Sequence, residues 1–159
     1  MDQSYVGRAY PASATYEVGR EHVRAFADAL GDPNPLYRDR DAARAAGHPD
    51  VVAPPTFLTV LTNRFGGEGP VADPGLGLDY SLVVHGEQHF ALHRPVHVGD
   101  VLTSSVSITG VREIGRNESL TLLTEVTDAE GVAVATMTMN LVSRGTAAPR
   151  PAAQPGREA

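Results

Sequence analysis

Residues 51–67 read VVAPPTFLTVLTNRFGG, and the placing of their apolar side chains decides the fold. Pro55 suits the first turn of a helix, where a missing N–H leaves nothing unsatisfied. Phe57, Leu58, Val60, Leu61 and Phe65 then fall on more than one face of that helix. A helix that is apolar nearly all round has to be buried, so the rest of the chain must supply a large apolar surface.

The second half of the sequence supplies it. YSLVVHGEQHFAL (80–92), DVLTSSVSITGVREI (100–114), ESLTLLTEVTD (118–128) and VAVATMTMNLVSR (132–144) are rich in β-branched residues. Much of this sequence alternates with a period of two, as in half-buried strands. GRNE (115–118) and DAEG (128–131) have the composition of hairpin turns. Upstream, ATYEV (14–18) reads as a short strand. In REHVRAFADAL (20–30), Val23, Phe26, Ala27 and Leu30 keep helical spacing, and Gly31 suits the C-cap. Asp39 can cap a short helix, RDAARAAG, that Gly47 would end. One strand, a buried helix and four long strands predict an α+β domain in which a curved antiparallel sheet wraps a long central helix. Such a sheet has one dry and one wet face.

Composition narrows the function. The 159 residues fit one domain, expected over residues 1–144, with a Pro- and Ala-rich tail at 145–159 that has nothing to bury. Nineteen acidic against 13 basic residues give a net charge of −6, which argues against a nucleic-acid surface. The sequence has no cysteine, so disulfides, thiolate metal sites and thiol catalysis are excluded. No apolar run approaches the roughly 20 residues of a membrane span, and the first ten residues are too polar for a signal peptide. The expectation is a cytoplasmic protein without nucleic-acid or membrane partners.

The chemistry centres on GDPNPLY, Gly31 to Tyr37. With LGDPNPLY, APPTF (53–57), HGEQ (85–88) and HRPVHVGD (93–100), the chain resembles the MaoC-like hydratases of the hot-dog fold. More specifically it resembles their FAS1-type dehydratase half, whose known members include the A-type subunits of heteromeric (3R)-hydroxyacyl-ACP dehydratases of actinobacteria. In active relatives, the resemblance implies, the loop reads small–Gly–Asp–x–Asn–Pro–aliphatic–His. Its Asp and His form a dyad acting on water, and a backbone N–H at the start of the central helix holds the thioester oxygen. Hydration needs one group to take a proton and one to give it, and an oxyanion is stabilised by a donor at a helix start. No metal or organic cofactor is implied.

The match holds at Gly31, Asp32, Asn34, Pro35 and Leu36, but Tyr37 stands where the family has His. A phenol of pKa about 10 is ionised roughly one part in a thousand at neutral pH, a penalty of about 4 kcal/mol against acting as a base. If Pro55 aligns with the glycine of the oxyanion hole, it offers no N–H. Losing one such donor costs on the order of 100-fold in rate. Asp32 is therefore either an acid–base residue or a loop carboxylate accepting turn hydrogen bonds. Tyr37 is either a degenerate catalytic position or a packing residue.

His85, His89, His93 and His97 recur every fourth residue. On a helix they would line one face like metal ligands, but Pro95 and the flanking β-rich sequence argue for strands, where such neighbours share a face but lie roughly 13 Å apart. His85 is either a satisfied sheet residue or a replacement for the missing imidazole. His22 and His48 read as surface and loop residues. Arg94 either marks a break in the sheet or meets an anionic ligand group such as a pantetheine phosphate.

The candidate catalytic residues are thus Asp32, Tyr37 and His85. The substrate contacts expected from the resemblance are Asn34, Pro55, Thr56, Phe57, Gly86 and Arg94. Three functions follow. One is a dehydratase subunit that binds the acyl group of an acyl-CoA or acyl-carrier-protein thioester while a MaoC-like partner supplies the dyad. The second is an autonomous hydratase using Asp32 with Tyr37 or His85. The third is a non-catalytic acyl-thioester binding protein, with a hot-dog thioesterase less attractive. A homodimer or heterodimer is expected in each, because an open edge strand invites pairing.

Overall fold

The β-rich second half folds into four long strands: β2 (Val83–Leu92), β3 (Val101–Ile114), β4 (Asn117–Thr127) and β5 (Ala133–Ser143). The computed structural model describes residues 1–62 and 69–147. A two-residue strand, β1 (Tyr16–Glu17), completes a curled antiparallel sheet of order β1-β3-β4-β5-β2. The strand expected over residues 14–18 is shorter than its composition suggested. Ser13, just before it, spends its backbone N–H on Ser104 and its hydroxyl on the Ser104 N–H instead.

Alternation along the strands sorts side chains between two faces. Leu102, Val106, Ile108, Leu120, Leu122, Val126, Ala135, Met137 and Leu141 are buried on the concave side. Residues between them, such as Ser105, Thr121 and Thr138, are only partly covered. The hairpins form where the turn sequences predicted. Gly115 adopts φ 63° between β3 and β4. Asp128 Oδ1 accepts the Val132 N–H at 2.8 Å in the turn to β5.

Helix α1 (Arg20–Leu30) lies where its apolar spacing placed it and buries Val23 and Ala27. Gly31 ends it in the left-handed region, φ 67°. Helix α2 (Arg40–Ala45) is capped by Asp39, whose carboxylate accepts the Asp41 and Ala42 N–H groups.

The segment expected as a long central helix begins differently. Phe57 N–H bonds Pro54 C=O at 2.8 Å, and Thr59 to Thr56, Val60 to Phe57 and Leu61 to Leu58 repeat this tight i to i−3 pattern. Among the described residues the helix proper, α3, covers Thr59–Thr62, and Phe65 lies outside the described residues. Two adjacent prolines give the reason. Neither has an N–H to donate, and Pro55 disfavours helical geometry at the residue before it. The burial argument nonetheless holds, since Phe57, Leu58 and Leu61 are each no more than 1% exposed. They pack with Leu102, Val126, Met137 and Tyr16. Each such side chain contributes about 2 kcal/mol of transfer free energy.

The two margins of the sheet differ. Along β3 the N-terminal arm adds hydrogen bonds from Gly7 N–H to Ile108, Ile108 N–H to Arg8, and Tyr10 N–H to Val106. The Tyr10 hydroxyl bonds Asp73, tying the arm to the loop beyond α3, and burial with that contact pushes its pKa up to about 12. The margin along β2 carries no strand partner among the described residues. At the far end, Gly145 N–H bonds Asn117 Oδ1 at 3.0 Å and Ala147 N–H bonds Arg116 C=O at 3.2 Å. The first residues of the expected tail are thus still tied to the β3–β4 hairpin, and residues 148–159 lie outside the described residues.

Candidate functional site

The loop Gly31–Tyr37 is built from successive side-chain turns. Asp32 N–H closes on Ala27 C=O at 3.0 Å, just past the end of α1. Asp32 Oδ1 then accepts the Asn34 N–H at 3.0 Å, and Asn34 Oδ1 accepts the Leu36 N–H at 3.0 Å. Pro35–Tyr37 form one 3-10 turn. Asp32 and Asn34 therefore shape the loop, as turn-forming acceptors do.

Tyr37 ends that turn on the wall of a cavity of about 360 Å³, shared with Pro54, Pro55, Leu58, His93 and Arg94. Its hydroxyl has no hydrogen-bond partner among the described residues, while its ring packs against the core. The structure thus brings together Tyr37, Pro55 and Arg94. Thr56, next in line, is exposed, and its N–H is the first available after the two prolines. Phe57 lines neither this cavity nor the one described below. It sits in the core, 1% exposed, edge-on to Phe26 at 5.4 Å. Arg94 is committed elsewhere: its guanidinium contacts Asp100 at 2.7 Å and Asp128 at 3.3 Å. The hydrogen bond to Asp100 raises its pKa further, against the opposing effect of burial.

HGEQ forms a β-bulge. His85 pairs with Leu141 and Glu87 with Asn140, leaving Gly86 as an extra residue with no cross-strand partner. A Cβ at Gly86 would stand 3.1 Å from Asn140 Oδ1, so a glycine fits this close approach. The bulge also resets the faces. His85 stands beside Leu141 on the concave side, whereas His89 stands beside Thr138 on the other. The four-residue spacing that suggested a shared face is broken by one inserted residue. Gln88, beside Met139, returns to the concave face with His85.

These two residues line a second concavity, formed by two contiguous cavities of about 350 and 470 Å³. Thr62, Val71, Tyr80 and Met139 line both. The groove runs from Val106 on β3 past Leu122 and Thr124 on β4 and Met139 on β5 to Val83, His85 and Gln88 on β2. Three strand spacings make it roughly 14 Å long. It shares no described residue with the Tyr37 cavity. Leu92 borders the latter, and seven residues of strand, roughly 23 Å, separate it from His85. His85 Nε2 meets the Glu87 carbonyl oxygen at 3.1 Å across the bulge. The structure does not bring His85 together with Asp32 or Tyr37.

One contact was invisible in the sequence. His48 Nδ1 and His97 Nε2 approach to 3.3 Å, joining the loop after α2 to the segment before β3. Burial lowers the His97 pKa, and His48 and Arg94 add to the effect against Asp100 and Asp50. No spacing rule links residues 49 apart. Among the described residues no group of three His, Asp or Glu side chains could hold a metal ion, and no helix is long and apolar enough to cross a membrane.

A family model described as "FAS1-like, dehydratase domain region" matches residues 4–137. The chain belongs to this FAS1-like dehydratase family. A UPF0336 protein of Parafrankia sp. (strain EAN1pec) is 54% identical over 94% of this chain and 99% of its own length. A solved MaoC-like dehydratase is 33% identical with a TM-score of 0.78, covering 89% of this chain and 42% of that one. The HadBC (3R-hydroxyacyl-ACP dehydratase) complex of Mycobacterium tuberculosis contains a chain 27% identical, with a TM-score of 0.71, covering 84% of this chain and 95% of that one. The curled sheet described above is accordingly the hot-dog fold of FAS1-like and MaoC-like dehydratases and hydratases.

Proposed function

We propose that this chain is the supporting subunit of a (3R)-hydroxyacyl-thioester dehydratase, or enoyl-thioester hydratase. It holds the acyl chain while a MaoC-like partner supplies the Asp/His dyad. The observation that carries this reading is the separation of two features. The apolar groove ends on β2, the open margin of the sheet, at Val83, His85 and Gln88. The degenerate loop, with Tyr37 beside Pro54 and Pro55, borders a different cavity.

The chemistry follows from that layout. Tyr37 is a poor base at neutral pH, and the two prolines remove the N–H groups that would face an oxyanion. Asp32 spends one carboxylate oxygen on its own loop. A partner strand added along β2 would place a second active loop next to the mouth of the groove. An acyl tail could then run under this chain's sheet while its thioester reacts on the partner. The acyl-CoA or acyl-carrier-protein thioester is the substrate class, with fatty-acid synthesis as the setting and the cytoplasm as the compartment. Elimination of water requires an acid, a base and an oxyanion donor, all assigned to the partner.

The test is hydration of a trans-2-enoyl-CoA by the chain alone and with a catalytic MaoC-like chain. The expected result is turnover in the mixture alone, unaffected by Asp32→Asn in this chain. Brisk turnover by the isolated chain, abolished by Asp32→Asn, would refute the supporting role and favour an autonomous hydratase. Binding of thioester without turnover in any mixture would favour a binding protein.

A further inference from the structure

Among the described residues, three buried side-chain polar atoms have no hydrogen-bond partner: Arg38 Nη1, Ser143 Oγ and Gln88 Oε1. Of these three residues only Gln88 lines the groove. It stands on β2 beside Met139, at the end of the groove that opens on the free margin of the sheet. Its amide has a fixed sense, because Nε2 donates to Thr138 C=O at 3.3 Å and the reverse setting would oppose two oxygens. Oε1 is thus an acceptor closed off from solvent and without a donor. The hydroxyls of α3 on the same cavity do not serve it. Thr59 donates to Thr56 C=O at 2.9 Å, and Thr62 to Thr59 C=O at 2.7 Å. A leucine would line the groove here with no polar atom to satisfy, so the glutamine is a standing cost that a donor on the ligand removes.

We infer that Gln88 is a positioning residue that accepts a hydrogen bond from the C3 hydroxyl of a 3-hydroxyacyl thioester. This rests on the reading of the groove as an acyl site entered from β2. In that reading the carbons next to the thioester pass His85 and Gln88, and the remaining methylenes lie against Met139, Leu122 and Val106. The last torsion of a glutamine side chain is broad, so a modest turn about it brings Oε1 to the groove surface. A carboxamide oxygen accepts a hydrogen bond and exchanges no proton at neutral pH. During dehydration the partner's base takes the C2 proton while its acid protonates the C3 oxygen, which leaves as water. By holding the hydroxyl hydrogen, Gln88 turns a lone pair of that oxygen toward the acid. A chain with a methylene or keto group at C3 has no donor there and leaves Oε1 unpaired, which is the basis of discrimination.

The experiment titrates the full chain calorimetrically with (3R)-hydroxydecanoyl-CoA, decanoyl-CoA and 3-ketodecanoyl-CoA. Wild type and Gln88→Met are compared, with circular dichroism verifying their fold. The expected result is that wild type binds the 3-hydroxy ligand roughly 3- to 10-fold more tightly than either of the others. Gln88→Met should lose that preference while holding decanoyl-CoA equally well or better. The hydroxy-against-keto comparison in wild type tests the donor requirement by itself, so the inference can fail even where Gln88→Met does not fold. It is overturned if wild type shows no preference, if the keto ligand gains as much as the hydroxy ligand, or if the preference survives in Gln88→Met. Binding of decanoyl-CoA without any such preference overturns this inference alone. Failure of every thioester to bind overturns the acyl-site reading as well.

Discussion

His48 Nδ1 lies 3.3 Å from His97 Nε2, so an imidazole from the loop after α2 and one from the segment before β3 meet in a partly buried contact. Burial holds the His97 pKa below its ordinary value, with His48 and Arg94 also opposing its proton. The unfolded chain therefore binds the proton more readily than the folded one. The His97 contribution is at full strength above the unfolded value of about 6.5 and is lost as pH falls through the lower folded value. Urea denaturation at pH 7.5 and 5.5 should show lower stability at 5.5. In His97→Gln that difference should shrink.

Asp32 separates a turn role from an acid–base role. Its Oδ1 accepts the Asn34 N–H, and an asparagine oxygen would do the same. Asp32→Asn should leave stability within about 0.5 kcal/mol of wild type, whereas Asp32→Ala should lose about 1 kcal/mol. Chemical denaturation measures both. Equal losses in the two variants would show that the charge, not the turn, is what the loop requires.

Arg94 fastens the end of β2 to the turn before β3. Its Nη1 bonds Asp100 Oδ2 at 2.7 Å, and that same oxygen accepts the His97 N–H at 2.9 Å. Arg94→Ala should cost about 1 kcal/mol in denaturation experiments. Arg94→Lys should recover part of it, since one ammonium cannot reproduce the two-pronged contact.

Phe57 joins the segment at Pro55 to the core through Phe26 at 5.4 Å and Tyr16 at 6.4 Å. Phe57→Ala should destabilise the chain by about 3–5 kcal/mol, the range for a large buried aromatic. A urea midpoint near that of wild type would refute the assignment of this residue to the core.

What could be read from the sequence was local. The spacing of Val23, Phe26 and Ala27, the cap at Asp39 and the alternation around Leu120 and Leu122 each show in a few consecutive residues. The arm was not legible, because Gly7 to Tyr10 become strand-like through bonds to β3 about a hundred positions away. The opening of the central helix was not legible, since apolar spacing does not register how two prolines tighten its first turns. The bulge had a visible sign, the glycine inside HGEQ, but period-two reasoning carried past it and assigned His85 and His89 to one face. For the site, motif position alone grouped Asp32, Tyr37 and His85, and chain geometry then distributed them over separate elements.

The unequal margins of the sheet also set a stopping rule for growth. An open strand can template another, and a molecule with two such margins could in principle add copies without end, in the manner of a fibril. Here the N-terminal arm blocks one side along residues 104–108 of β3, leaving β2 as the long margin able to accept a neighbour. Once that neighbour docks, the ribbon has been used up. The arm thus acts as a terminator: an assembly that grew through β2 would end at two chains.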